Sequence, residues 1–206
     1  MKRPEALLIL TLFLTACPGT VTPPPPDPDA FPVSEVSGTL ADWTSGEAYL
    51  TLAGGFSDSS TGDPETDGVQ LSAPAYETTL SADGSFRVPL DVPDASVLTP
   101  LTCDGETYQL GFLALAVVSS VPQPTQTEEV LGIYTLGPPD AAPRDAVWLY
   151  SERALELDTS CTLPGSSPAV VKLELASGWN QAVLSYGEQP RLESAPVPET
   201  YVWSQF

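Results

Sequence analysis

Tyr76-Glu77-Thr78-Thr79-Leu80-Ser81-Ala82-Asp83-Gly84-Ser85-Phe86-Arg87-Val88-Pro89-Leu90 holds two strand-like runs around a turn. Residues 76–80 and 86–90 are short and mix apolar with polar positions, as a half-buried strand does. Between them Asp83-Gly84 supplies the positive φ that a tight turn demands. The same texture runs outward in both directions. Upstream, residues 36–43 and 47–53 are separated by Thr44-Ser45-Gly46, a hairpin signal. Downstream, residues 108–118 form the most continuous apolar run, which predicts a strand buried on both faces. Its β-branched end and the flanking Pro122 and Pro124 favour strand over helix. Further strands are expected over 129–136, 146–151 and 154–158. Residues 170–175 and 182–186 are expected to pair around Ser177-Gly178-Trp179-Asn180, and residues 200–205 form a last strand.

About ten short strands at even spacing, with little or no helix, predict an all-β antiparallel sandwich. Twenty-three prolines agree, since each one ends or edges a strand and would break a helix. With 42% apolar residues the chain has enough to fill a core. Residues 35–90, with Val36-Ser37-Gly38-Thr39-Leu40 and Ala82-Asp83-Gly84-Ser85-Phe86-Arg87-Val88, resemble transthyretin-like or carboxypeptidase-regulatory-like modules. That resemblance implies an Ig-like or transthyretin-like sandwich in which the first aromatic after the Asp-Gly turn plugs the core. Leu173, Leu175, Gly178-Trp179-Asn180 and Val183 are similar to a hairpin near the end of uncharacterised bacterial lipoproteins, a likeness that implies no activity.

The N-terminus carries a different message. Lys2 and Arg3 precede a short apolar run over 6–14, then Leu14-Thr15-Ala16-Cys17. A basic start, an apolar stretch too short to span a bilayer and a small-residue cleavage site read as an export signal. Cysteine directly after Leu-Thr-Ala resembles the lipobox of bacterial lipoproteins. The resemblance implies that Cys17 receives a diacylglyceryl group with palmitate-type chains and becomes the first mature residue. The expected organisation is a signal peptide over 1–16, a lipidated cysteine with a tether over 17–32, and a β domain over 33–206. Residues 18–32 contain seven prolines, so the tether should be an extended spacer of about 3 Å per residue. The chain is then expected at the cell envelope, outside the cytoplasm and held to the membrane through its lipid. Pro18 in place of an acidic residue after Cys17 favours the outer membrane in a two-membrane host.

With 7 Lys+Arg against 27 Asp+Glu, the formal net charge is −20. Phosphate backbones are repelled by such a surface, which excludes nucleic acid as a partner. Cys103 and Cys161 remain as an even pair in an exported protein, which predicts a disulfide. Histidine is absent, which excludes a Ser-His-Asp hydrolase and leaves too few ligands for a zinc site.

Asp58, Asp63, Glu65 and Asp67 crowd one segment and approximate the start of a calcium loop. The position that needs the bidentate glutamate is Pro74, however. A solvated acidic loop is the simpler reading, and no cofactor is expected. Trp43 and Trp179 lie beside turns and are the aromatic candidates for a binding surface. Trp148 alternates with Val147 and Leu149, as a core residue would. The sequence thus points to a structural or noncovalent binding role toward an envelope protein or glycan, and not to an enzyme. A carbohydrate-binding module, or a glycoside hydrolase using paired carboxylates, is the alternative.

Overall fold

The computed structural model describes residues 31–54, 56–58, 69–71, 74–121, 129–140, 143–162 and 168–205. They form seventeen strands and one short 3-10 turn, so the all-β reading stands, with more and shorter strands than expected. The first seven are β1 (Pro32–Val33), β2 (Glu35–Thr39), β3 (Ala48–Ala53), β4 (Phe56–Asp58), β5 (Val69–Leu71), β6 (Ala75–Leu80) and β7 (Ser85–Pro89). After the turn η1 (Ala95–Val97) come β8 (Thr99–Cys103), β9 (Glu106–Leu113), β10 (Leu115–Ser119), β11 (Val130–Gly137) and β12 (Arg144–Ser151). The last five are β13 (Leu155–Thr162), β14 (Pro168–Leu175), β15 (Gly178–Ser185), β16 (Arg191–Ser194) and β17 (Val202–Gln205).

Seven strands close on themselves in the order β15-β12-β9-β8-β13-β14-β16, with β16 returning to β15. This closed barrel is where the structure departs from the expected two-sheet sandwich. Closure depends on β16, which runs parallel to β14 and antiparallel to β15 and so bridges both. A barrel closed in this way leaves no strand edge open along its seam. One edge of β15 is divided: β1 takes Trp179 and Asn180, and β16 takes residues 182–185. The narrowest seam is β8–β13, with only two register pairs, and one of them is Cys103 opposite Cys161. Their sulfurs lie at bonding distance, 2.05 Å, with Cα atoms 4.2 Å apart. The predicted disulfide therefore staples the weakest join in the barrel.

Five other strands form an antiparallel sheet in the order β17-β11-β10-β3-β6, and β2 pairs with β7 beside it. The expected turn at Asp83-Gly84 is present: Gly84 has φ +80° and Ser81 N–H donates to Ser85 O at 2.9 Å. Its arms then separate, β6 to β3 and β7 to β2. Two other expected hairpins are corrected. Residues 36–43 and 47–53 do not pair, because β2 joins β7 while β3 lies between β6 and β10. Residues 170–175 and 182–186 do not pair either, because β16 lies between β14 and β15. The run over 108–118 breaks at Ala114, and its two parts serve different sheets, β9 in the barrel and β10 in the five-stranded sheet.

Two large apolar cores result, beside a small third cluster of Ala53, Leu115 and Val117. Along β14, Ala169, Val171, Leu173 and Leu175 are buried and belong to the barrel interior, alternating with less buried neighbours. Each fully buried side chain of the Val or Leu kind contributes about 1.5–3 kcal/mol. Strand β12 serves both cores. Val147 and Leu149 point into the barrel, while Ala146, Trp148 and Tyr150 point outward into the second core. That is why six successive residues of β12 are buried where alternation alone predicts three. Phe86, the first aromatic after the Asp-Gly turn, is buried in the second core.

Candidate functional site

Trp203 is 2% exposed at the centre of the second core. Its ring stacks on Trp148 at 5.8 Å between centroids and takes the edge of Phe86 at 5.3 Å. Its Nε1 is buried and has no hydrogen-bond partner. A buried donor left unpaired costs about 1–3 kcal/mol, so the position calls for an explanation. Gly38 lies against it: a Cβ there would stand 2.5 Å from Nε1. Glycine inside a strand is the sequence signal for such a close approach, and Val36-Ser37-Gly38-Thr39-Leu40 carries it.

Trp203 also lines a pocket of about 360 Å³. One wall is β2; the other is the segment from Val197 to Val202 that leads into β17. Leu136, Trp148 and Trp203 line its apolar part, and Gln181 lines it from β15. The Gln181 side chain fixes the second wall, its Oε1 accepting from Val197 N–H at 3.0 Å. Glu35 and Glu199 are among the pocket's lining residues. Arg87 holds Glu35 at 2.8 Å in an exposed ion pair. The arrangement offers shape, an apolar wall and strand backbone, which is equipment for binding.

The residues singled out by sequence are scattered. Cys103 and Cys161 are joined in the barrel wall. Cys17 lies outside the described residues, as do Asp63, Glu65 and Asp67; Asp58 closes β4. Among the described residues no group of three or more candidate ligands gathers to hold a metal. Trp43 is part-buried against the second core, and its Nε1 donates to Gly46 O at 2.7 Å, closing its own turn. The expectation that Trp179 presents its ring to a partner is corrected. Trp179 is 3% exposed, and its Nε1 donates to Asp91 O at 2.8 Å. The same carbonyl accepts from the Tyr76 hydroxyl, and the Tyr76 and Tyr150 rings pack on the indole. A residue beside a turn is buried here because the segment after β7 folds over it.

A second polar group sits where β11, β12 and the end of β15 meet. Burial pushes the Asp145 carboxyl above its ordinary range, partly offset by hydrogen bonds from Tyr186 and Thr135. Partial burial of the hydroxyl end, and then the Asp145 charge, raises the Tyr186 phenol above its ordinary value, although the residue is 47% exposed. Compared with protein-family models, with characterised proteins and with solved structures, the chain matches none.

Proposed function

We propose that this chain is an envelope protein held through a lipid on Cys17, with a structural or noncovalent binding role outside the cytoplasm. The observation that carries the reading is the basic-apolar leader ending in Leu14-Thr15-Ala16-Cys17. The joined pair Cys103–Cys161 supports it, since such bonds persist in oxidising compartments. The pocket beside Trp203 supports the binding half, because it pairs an apolar lining with strand backbone along one wall. Two or more acyl chains give firm membrane residence where one gives only marginal binding. The proline-rich tether then holds the acidic body away from anionic headgroups. We also read the five-stranded sheet and the β2–β7 pair, which enclose the second core, as a transthyretin-like sandwich set against the barrel.

Replacing Cys17 by serine tests the anchor. The variant is expected in the soluble fraction of its host, and mass spectrometry of the parent protein should find a diacylated cysteine as its first residue. Unchanged membrane fractionation, or an N-terminus still bearing Met1, overturns the reading.

A further inference from the structure

Strand β2 has one edge that its neighbour β7 does not use. Leu40 N–H donates to Gly84 O at 3.0 Å and Leu90 N–H donates to Ser34 O at 2.9 Å. With the register Val36–Val88 and Gly38–Phe86, the even-numbered residues of β2 therefore turn their backbone groups toward β7. Alternation sends those of Glu35 and Ser37 the other way. On that second edge Ala41 N–H donates to Trp203 O at 2.8 Å, beside the parallel bridge of Leu40 with Trp203. Among the described residues no strand carries the ladder further toward Glu35. Residues 197–201 stand off instead, and the pocket fills the gap.

An open strand edge is a template for another extended chain, whose backbone adds to the sheet while alternate side chains find pockets. Here the edge runs along a cavity that Trp203 also lines. Gly38 of β2 packs directly on the Trp203 indole, which makes that ring a reporter of this edge. We propose that the free edge of β2 takes a short, extended, basic peptide segment of a partner protein as an added strand. The backbone of the peptide pairs with Ser37, and its side chains on one face enter the cavity that Trp203 lines. Glu35 is held by Arg87, so the charge of the segment follows from Glu199 at the pocket and from 27 acidic against 7 basic residues overall. Such a field speeds the approach of a cation and repels an acidic strand. At about 360 Å³ the pocket is near the small end of the range for ligand sites, which suits a few residues and not a folded domain. The proposal rests on the binding half of the proposed function and is independent of the anchor.

The probe is a terminally blocked six-residue peptide of alternating lysine and valine, titrated into the isotope-labelled protein and followed by NMR. The Trp203 indole resonance is identified by its loss in Trp203→Phe. A saturable shift of that resonance is expected, with slower exchange of the Ser37 amide. Ser37→Pro removes an N–H that β7 does not use, and should weaken the affinity at least tenfold. The same peptide with alternate amides N-methylated should bind at least tenfold more weakly to the unaltered protein, a test that needs no variant to fold. No saturable shift overturns the proposal. Equal binding of a glutamate–valine peptide overturns it, and so does unweakened binding of the N-methylated peptide, which would mean charge attraction alone. A concentration-dependent shift without peptide would assign the edge to a second copy of this chain and overturn it too. Failure of the Cys17→Ser test would leave all these outcomes unaffected, so the two ideas fall separately.

Discussion

The indole planes of Trp148 and Trp203 lie within 7° of parallel, with ring centroids 5.8 Å apart. Trp148 points outward from barrel strand β12, and Trp203 comes from β17 at the edge of the five-stranded sheet. The stack is therefore a direct bond between the two parts of the fold. Truncating Trp203 to alanine should cost about 3–5 kcal/mol, the range for large-to-small changes at buried aromatic positions. Trp203→Phe keeps most of the ring area and deletes the unpartnered N–H, whose burial costs about 1–3 kcal/mol. Urea unfolding should place Trp203→Phe much nearer the parent than Trp203→Ala. Equal losses for the two would show that Nε1 is not an unpaired donor.

The disulfide spans 58 residues and stands on the β8–β13 seam, which has only two register pairs. On the chain-entropy estimate a bridge of this span contributes about 4 kcal/mol. The double variant Cys103→Ala/Cys161→Ala should lower the urea midpoint accordingly, and a reductant should bring the parent protein down to the same midpoint. A parent midpoint indifferent to reductant would mean that the two thiols are not joined.

How much of this was legible in the sequence follows from what strand patterning encodes. Alternation along 76–80 and 86–90 tells which residues face a core, and the Asp83-Gly84 turn was correctly placed from its chemistry. Alternation does not tell which strand lies alongside. The β14 and β15 segments looked like one hairpin because a short polar turn joins them, yet β16 inserts between them from further along the chain. The run over 108–118 changes sheets at Ala114, and only its second part, β10, is buried on both faces as expected, in the way β12 is. Trp179 was misplaced because its cover, Asp91 and Tyr76, comes from about a hundred residues away. The pocket beside Trp203 had one visible sign, a glycine inside β2. That sign became specific only once β17 was known to cross it.

Asp145 should make stability depend on pH in the sense opposite to most carboxylates. Burial raises its folded-state pKa above the ordinary 3.8. Its contribution is thus fully present below 3.8 and is lost as pH rises through the raised folded value. Asp145→Asn keeps a side-chain acceptor for Tyr186 and Thr135 but carries no charge to bury. Relative to the parent, this variant should gain stability as pH rises from 3.8 toward neutrality. A variant that loses ground over that interval would show that the hydrogen bonds to the carboxylate outweigh its burial.

Asn180 is fully buried, and its amide is used at both ends. Oδ1 accepts from Ala176 N–H at 2.9 Å, while Nδ2 donates to Ala176 O and Gly178 O, each at 2.9 Å. One side chain thus satisfies the backbone of the turn that leads into β15, the strand with three partners on its two edges. Asn180→Asp keeps the shape and removes both donors, setting two carbonyls against a carboxylate in a dry site. Breaking a buried polar arrangement so that a charge is left uncompensated costs about 3–5 kcal/mol. The deficit should therefore exceed that of Asn180→Ala, which leaves the turn unsatisfied but adds no charge. It should also shrink on acidification, as the new carboxyl takes up a proton and regains a donor. Urea midpoints at acid and neutral pH read both effects. An Asp variant no weaker than the Ala variant, with the same midpoint at both pH values, would mean that water reaches this side chain and that the turn does not depend on its amide.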